Sequence, residues 1–369
     1  MRGGSFPALA EKLERLFDAG VRTPWPESAF EKLALAAFRL QFERIASYRA
    51  FCEGRARTPD TVERWQDVPA VPSSAFRALE LHSGDDDRPE AVFRTSGTTL
   101  GQAARGRHLV PRLELYRRSL VPPFRAHVLA ARGRIRFVSL IPSFDELPDS
   151  SLSFMVGVAA GVMASQTHWL VDGKGVLDLD ALRAIARRAS NAREPVLIVG
   201  TALALLNVLE GLEGAPPAPL PPGSRIMETG GFKGAGRELT RVDLYARLAG
   251  ATGVPQERIV SEYGMTELLS QLYEPVLSEG PGAVGTHVPP PWLKVRALDH
   301  VTLEELPSGE EGLLCFFDLA NIGSVCHVLT EDVGAVVKGR VRLAGRASGA
   351  EPRGCSLAMD ELMSAARTS

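Results

Sequence analysis

The sequence has little of what defines several large classes of enzyme. Its 369 residues include only four cysteines, which form no CxxC pair, so a disulfide framework and a zinc ribbon are both disfavoured. The seven histidines form no HxxxH or HExxH pair, which argues against a metal hydrolase. No GxSxG elbow is present, so the usual signature of a serine esterase is missing.

Excess charge and long apolar runs are also lacking. The chain carries 42 Lys and Arg against 44 Asp and Glu, a net charge of -2, so we expect no nucleic-acid partner. The most apolar run, Leu152 to Met163, is far shorter than the roughly 20 residues that span a bilayer. No apolar leader precedes the first charged residues, and we expect a protein of the cytoplasm without a membrane span.

The pattern of apolar residues predicts an α/β fold with mostly parallel sheets flanked by helices. Residues 1–57 form a predicted helical region. Strand and helix candidates alternate through residues 58–290, the predicted α/β core. Residues 291–369 have β character without intervening helices, and we expect a smaller antiparallel portion that completes the core.

Two local predictions accompany this division. A helix is expected from Leu113 to Leu129, interrupted near Pro122 and Pro123, because proline removes a backbone donor. A second, short helix is expected from Leu268 to Leu272.

A loop rich in hydroxyl groups and glycine follows the strand candidate that ends at Phe93. Such a loop can direct backbone N–H groups and hydroxyls toward a polyphosphate. It is not a Walker A loop, since no Lys follows its second Gly. An ordinary Ser/Gly turn is the alternative. The candidate phosphate-binding residues are Thr95, Ser96, Gly97, Thr98, Thr99 and Gly101.

A second polar turn follows the strand candidate that ends at Val260. Tyr263 could stack on a base, Gly264 permits close approach, Thr266 could contact a phosphate and Glu267 could hold Mg²⁺. The carboxyl end of a strand in an α/β sheet is where ligands usually bind. The alternative is that Thr266 caps a following helix and Glu267 favours its positive end.

A glycine pair forms the third candidate. Gly230 and Gly231 follow a strand candidate and would let a flat ligand approach the backbone. Lys233 is a local candidate for a cation that acts on phosphate, and an exposed lysine is the alternative.

The fourth candidate is a carboxylate followed by an arginine. Asp332 could accept hydrogen bonds from ribose hydroxyls, and Arg346 belongs to a Gly-Arg turn. Taken alone, Asp332 is equally consistent with a turn before Gly334.

The order of these motifs resembles the adenylate-forming superfamily, which has a TSGTTG-like loop, a Gly-Gly contact, YGxTE, a TGD-like Asp and a Gly-Arg turn. Smaller motifs are similar to acyl-protein synthetases, the fatty-acid-activating subunits of bacterial luminescence fatty-acid reductase. These are VPAVP with Phe76, Ser150-Ser-Leu, Thr229-Gly-Gly-Phe-Lys and Arg353-Gly-Cys-Ser-Leu. The resemblance implies that residues 58–290 bind a nucleotide.

The sequence departs from the superfamily in three respects. Its first loop is one residue longer, its acidic motif reads TED, and the usual loop Lys is missing, for which Arg105 or Arg107 could substitute. We also expect no mobile C-terminal domain with a catalytic Lys, an absence that the narrower family shares.

The resemblance implies an ATP- and Mg²⁺-dependent ligase that converts a carboxylic acid, expected to be a fatty acid, into an acyl-adenylate. It implies that the acyl group then passes to Cys355 and on to a partner such as an acyl reductase or another acyl-acceptor protein. Arg353 and Arg346 would favour a reactive thiolate, and a buried structural cysteine is the alternative. Two other functions stay open: a compact ligase that uses free coenzyme A or an amine, and a nucleotide-binding subunit without catalysis.

Overall fold

A computed structural model describes residues 5–84, 88–95, 105–130, 133–214, 217–230, 240–347 and 352–368. The chain divides into two units. Unit 1 contains residues 1–122, 265–271 and 288–369, and unit 2 contains residues 123–264 and 272–287. The predicted regions 1–57, 58–290 and 291–369 were defined by the pattern of the sequence, whereas the two units are defined by contacts in the fold. The predicted division therefore stays a prediction.

Unit 1 combines helices with a mainly antiparallel sheet. Its helices are α1 (Phe6–Asp18), α2 (Glu27–Arg44), α3 (Ala46–Gly54), α4 (Ala75–Ala78) and α11 (Arg353–Thr368). Its strands are β1 (Val71–Pro72), β2 (Ala91–Arg94), β3 (Arg107–Val110), β10 (Leu293–Leu298), β11 (Glu311–Asp318), β12 (His327–Val337) and β13 (Arg340–Arg346). A five-stranded sheet has the order β1-β12-β11-β10, with β13 also paired to β12, and β2 and β3 form a separate hairpin.

Unit 2 is built on a six-stranded sheet in the order β5-β4-β6-β7-β8-β9. All its strand pairs are parallel except β8 with β9. The strands are β4 (Ile135–Ser139), β5 (Ala164–Trp169), β6 (Val196–Thr201), β7 (Arg225–Thr229), β8 (Ile259–Tyr263) and β9 (Leu272–Tyr273). The helices are α6 (Ser151–Met163), α7 (Leu179–Ala192), α8 (Ala202–Gly211), α9 (Arg241–Thr252) and α10 (Val276–Glu279).

Local sequence explains why unit 2 alternates in this way. Parallel neighbours need a crossover, and each long helix begins where a side chain can accept a hydrogen bond from the first turn. Ser150, Asp178, Thr201 and Thr240 cap α6, α7, α8 and α9 respectively. All five residues of β7 are buried, as expected of a strand covered on both faces. The predicted fold class is therefore confirmed.

The predicted break at Pro122 and Pro123 is wrong. The α-helix α5 (Leu113–Phe124) includes both prolines and passes from unit 1 to unit 2 between them. A π-helical turn, Arg125–Leu129, follows directly, and the Ala130 N–H donates to the Arg125 carbonyl at 3.2 Å. The helix therefore continues through both prolines and widens to a π-helical turn only after them.

The predicted helix from Leu268 to Leu272 is also wrong. Thr266 and Glu267 form a turn, the rest of residues 265–271 is irregular, and Leu272 begins β9. Asp318 accounts for the difference, because it accepts the Leu269 N–H at 2.9 Å and the Ser270 hydroxyl at 2.7 Å. Distant hydrogen bonds thus replace those that a helix would make.

Among the described residues, no helix has both the length and the apolar composition needed to cross a bilayer.

Candidate active site

The carboxyl ends of two adjacent parallel strands carry the glycine and aromatic motifs of unit 2. In the register of β7 and β8, Thr229 lies opposite Glu262, so Gly230 and Tyr263 follow at the same edge. Gly230 has a φ of +76°, which favours glycine, and a Cβ added there would meet no atom of the described residues within 4 Å. Within that part of the chain, the space beside the Gly230 backbone is unfilled.

Two buried carboxyl groups lie behind this edge. Glu228 is 2% exposed and accepts a hydrogen bond from the Tyr245 hydroxyl at 3.2 Å, and Glu262, 4% exposed, accepts one from the Thr229 hydroxyl. Burial raises the pKa of both carboxyls to about 7, because the charged form is costly away from water. Both groups can therefore exchange a proton near neutral pH.

The aromatic residue of the second motif ends its strand. Tyr263 is half-buried and is the last residue of β8, where it pairs with Leu272 of β9. Gly264, the next residue, is exposed. The predicted strand, which ended at Val260, is thus three residues short. The motif residues from Met265 onward belong to unit 1.

The hydroxyl-rich loop is closed at its base by Thr95. The Gly106 N–H donates to Thr95 Oγ1 at 2.8 Å, and the Thr95 N–H donates to the Gly106 carbonyl at 3.0 Å. Arg105 donates from Nε to the Thr95 carbonyl at 2.6 Å, while Arg107 pairs with Glu80 at 2.9 Å. Both arginines considered as substitutes for the missing lysine thus already have protein partners.

The segment after Gly264 is fixed by its backbone. The Thr266 carbonyl lies 2.6 Å from His108 Nδ1, and the Glu267 carbonyl accepts the Asn321 amide Nδ2 at 2.9 Å. No helix begins here, so Thr266 does not act as a helix cap. The side chains of Thr266 and Glu267 therefore do not cap a helix.

Glu267 is a partly buried carboxyl surrounded by charge. Burial raises its pKa to about 7, Arg77 and Arg346 act to lower the pKa, and Asp332 acts to raise it. These influences place three charged side chains of unit 1 around a single carboxyl group.

Asp332 and Arg346 are cross-strand partners. They lie opposite each other in β12 and β13, and Arg346 Nε is 3.4 Å from Asp332 Oδ1. Asp332 lies within β12, so its assignment to a turn before Gly334 is wrong. A bulge between Val333 and Gly334 alters the local register of this hairpin.

Arg77 is a functional candidate that the sequence analysis missed. It lies on α4, and a Cβ placed on Gly106 would come within 3.3 Å of Arg77 Cγ and 3.1 Å of Thr95 Cγ2. Arg77 is thus adjacent to the base of the hydroxyl loop and electrostatically coupled to Glu267. Its position directly after Phe76, in a segment already singled out, is the signal that could have found it.

The comparisons with known proteins agree on one group. The family model for acyl-protein synthetase, LuxE, matches residues 25–364. The chain belongs to the acyl-protein synthetase family.

One similar relative is the long-chain-fatty-acid–luciferin-component ligase of Vibrio harveyi, 24% identical over 97% of this chain and 95% of the relative. Among solved structures, 2-hydroxyisobutyryl-CoA ligase in complex with 2-HIB-AMP and CoA is similar with a TM-score of 0.60 at 13% identity, covering 88% of this chain and 76% of that one. O-succinylbenzoate coenzyme A synthetase from Bacillus subtilis matches at a TM-score of 0.48 and 19% identity, over 71% of this chain. This chain spans about half the length of that synthetase, 50%.

Family membership confirms the resemblance inferred from the motifs and identifies the chain as an acyl-adenylate-forming ligase. The structural similarities, at less than 25% identity, support the fold.

The acyl-protein synthetase motif around Cys355 lies at the start of α11. Cys355 is 2% exposed and packs in an apolar cluster with Leu298, Leu313, Cys315 and Leu329. Its Sγ lies 3.8 Å from the Thr330 carbonyl of β12. The cysteine is therefore close to the strand that carries Asp332, but it is covered in this conformation.

Several predicted residues lie outside the described residues, and their places in the site stay predictions. They are Ser96, Gly97, Thr98, Thr99, Gly101, Gly231 and Lys233.

The fit to a metal ion depends on Glu267. Within the part of the chain that the structure describes, no group of three or more His, Cys, Asp and Glu side chains could hold a metal by itself. Mg²⁺ usually binds through one or two carboxylates together with substrate phosphates, so a single acidic residue suffices. A partly buried carboxyl whose pKa is raised by burial is a suitable ligand, because a cation would offset that cost.

Proposed function

We propose that this acyl-protein synthetase uses ATP to activate a long-chain fatty acid in the cytoplasm and passes the acyl group to a thiol for delivery to a partner protein. The fatty acid is suggested by the name of the Vibrio harveyi relative, a long-chain-fatty-acid–luciferin-component ligase. A partner that consumes the acyl group, such as a reductase or another acceptor protein, follows from the same family relationship.

One observation supports the proposal above all others: motif residues far apart in sequence converge within unit 1. Thr95 is hydrogen-bonded to Gly106, a Cβ placed on Gly106 would come within 3.3 Å of Arg77 Cγ, and the charges of Arg77, Arg346 and Asp332 act on Glu267. Cations and carboxyl groups near the Thr95–Gly106 pair suit a magnesium-bound triphosphate.

The chemistry begins with two anions that must meet. A carboxylate oxygen of the acid attacks the α-phosphorus of ATP, the bond from that phosphorus to the bridging oxygen breaks, and pyrophosphate leaves. We assign Arg77 and Thr266 to the phosphates, Asp332 to the ribose hydroxyls and Glu267 to Mg²⁺, since catalysis here is mainly positioning and charge compensation. Bound Mg²⁺ would neutralise phosphate charge.

For Tyr263, Gly264, Gly230 and Gly231 the proposed role, contact with the adenine, rests on the sequence motifs alone. Arg346, 3.4 Å from Asp332, would orient that carboxylate, and Lys233 stays a predicted cation for the phosphates. The hydroxyls and backbone of the loop after Thr95 would hold the polyphosphate.

In the second step a thiolate attacks the acyl carbonyl, the carbonyl–phosphate bond breaks, and AMP leaves. We propose Cys355 as this nucleophile, with its proton passing to solvent. Cys355 contacts Thr330, two residues before Asp332, which is about 7 Å along an extended strand. Because the thiol is buried, the first turn of α11 must separate from β12 for the reaction to occur.

The activation step is tested by ATP–pyrophosphate exchange. Folded protein is assayed with fatty acids of increasing length and with aryl acids as comparison substrates. Exchange that depends on fatty acids is expected, whereas absence of exchange with every acid would refute the proposed reaction.

The acceptor is tested by intact mass after incubation with ATP and the best acid. The Cys355→Ser variant is expected to lose the added acyl mass. Cys315→Ser is the matched control, because Cys315 lies in the same buried cluster. Retained labelling of Cys355→Ser would remove Cys355 from the acceptor role.

The burial of Cys355 favours one second candidate, a ligase that gives the acyl group to free coenzyme A or an amine. This alternative needs no exposed protein thiol. Free acyl product without any covalent label on the protein would establish it.

A further inference from the structure

His108 lies at the centre of the hydrogen bonds that hold the Thr266–Glu267 turn. The ring belongs to β3, is 1% exposed, and packs edge-on against Phe76 with centroids 5.4 Å apart. Its Nδ1 is 2.6 Å from the Thr266 carbonyl, and its Nε2 is 2.8 Å from Asn321 Oδ1. Both ring nitrogens therefore face an oxygen atom.

The orientation of the Asn321 amide is fixed by its other contacts. Its Nδ2 donates to the Glu267 carbonyl and to the Val325 carbonyl, each at 2.9 Å. Turning the amide over would give His108 Nε2 a donor, but it would place an oxygen against two carbonyl oxygens. One hydrogen bond would be gained and two lost, so Oδ1 stays toward the ring.

A neutral imidazole cannot satisfy this arrangement. It has one N–H, which the Thr266 carbonyl requires, and its other nitrogen then directs a lone pair at Asn321 Oδ1. Only an imidazolium donates to both oxygens. Burial nevertheless lowers the pKa of His108 to about 4, while the bonds to Thr266 and Asn321 act in the opposite direction. The two oxygen acceptors therefore favour a protonated His108 ring, whereas burial disfavours it.

An anion near the ring would change this balance. His108 follows Gly106 and Arg107, and the Thr95–Gly106 pair closes the proposed phosphate loop. A bound triphosphate would bring negative charge to the base of β3 and raise the pKa of a nearby histidine.

We propose that His108 is a proton-coupled positioning residue, which takes up a proton at Nε2 when ATP binds and then holds Thr266 and Asn321 together. The proton comes from solvent, and no other bond changes. In the nucleotide-bound state the ring fixes the Thr266 carbonyl directly and the Glu267 carbonyl through Asn321. This inference rests on the proposed binding of ATP.

Ionisable groups of both signs lie on the elements around the ring: Arg77 on α4, Arg94 on β2, and Glu267 and Asp318. A cation near the ring would oppose a positive charge on the imidazole, and a carboxylate would favour one. Burial raises the pKa of Asp318 to about 6, so Asp318 gains its charge near neutral pH.

The test measures proton uptake when the full-length protein binds MgATP without acid substrate. Calorimetric titrations at pH 6.5 in buffers of different ionisation enthalpy report the protons taken up. The wild type is expected to take up about one proton more per ATP than His108→Gln, whose side chain does not titrate. His300→Asn is the control, because His300 is an exposed histidine of the same unit and should leave uptake unchanged.

A second measurement needs no variant. With ¹⁵N-labelled histidine, the His108 resonances are expected to show a neutral ring in the free protein and an imidazolium with MgATP. Binding without a histidine changing its protonation, or equal uptake in wild type and His108→Gln, would overturn the proposal while leaving ATP binding intact. Absence of any binding would instead refute the proposed function, and this inference with it.

Discussion

Replacing Glu262 by Gln should make the stability of the protein less dependent on pH. Glu262 is 4% exposed, and burial raises its pKa from the ordinary 4.5 to about 7. In the unfolded chain this carboxyl is charged above pH 4.5, whereas in the folded chain it resists ionisation up to about pH 7. The wild type therefore loses stability as the pH rises through this interval.

The size of the effect follows from those two values. Linkage gives a loss of roughly 2–3 kcal/mol in the free energy of unfolding between pH 5 and pH 8. Gln cannot ionise, so the variant avoids this loss. Its amide can accept from the Thr229 hydroxyl, but an unpaired buried NH₂ would cost about 1–3 kcal/mol at every pH. The difference between the two pH values is consequently a cleaner measure than either stability alone.

Urea unfolding at pH 5 and pH 8 tests this prediction. The stability of the variant relative to wild type is expected to improve by roughly 2–3 kcal/mol on going from pH 5 to pH 8. Thr229→Val provides a control of opposite sign, because losing the hydroxyl donor should raise the pKa of Glu262 further and steepen the pH dependence. An unchanged relative stability of Glu262→Gln at both pH values would refute the argument.

Three further substitutions test other parts of the site. Thr95→Val removes the acceptor of the Gly106 N–H and should cost about 1 kcal/mol in urea unfolding, with Thr95→Ser restoring it. Gly230→Ala should cost about 1–2 kcal/mol because its φ of +76° is unfavourable for alanine, and a cost near zero would contradict the backbone conformation. Asp332→Asn, which removes one of the two carboxylates near Arg346, should raise the KM for ATP by about tenfold with little change in kcat; an unaltered KM would exclude Asp332 from nucleotide binding.

The sequence predicted unit 2 well because its signals are local. Short apolar runs became buried parallel strands, and Ser150, Asp178, Thr201 and Thr240 cap the four long helices. Capping depends on residues three positions apart, so it can be read without knowledge of tertiary contacts. The ends of strands were less accurate, as β8 shows by continuing to Tyr263.

The parts that could not be predicted depend on distant partners. Residues 268–272 have apolar character that suits a helix, but two hydrogen bonds to Asp318 hold this segment in a non-helical conformation. Arg77 becomes a site candidate only because α4 lies against the base of the hydroxyl loop. Both contacts join residues that are far apart in the sequence. A local pattern of apolar residues could therefore not predict them.

Cys355 shows why a motif and its environment must be read together. The sequence argument for a reactive thiolate relied on Arg353 and Arg346, which are near in sequence. In the fold Cys355 lies in the first turn of α11, whose positive end would favour an anion, yet the same turn packs the thiol into an apolar cluster. A separation of α11 from β12 would expose the thiol from its apolar cluster, and the positive end of α11 would still favour the thiolate. Acyl transfer through Cys355 thus requires a conformational step. If this route is used, the rate of thiol labelling at Cys355 should rise when the acyl-adenylate forms. Transfer to a free acceptor would give no such rise.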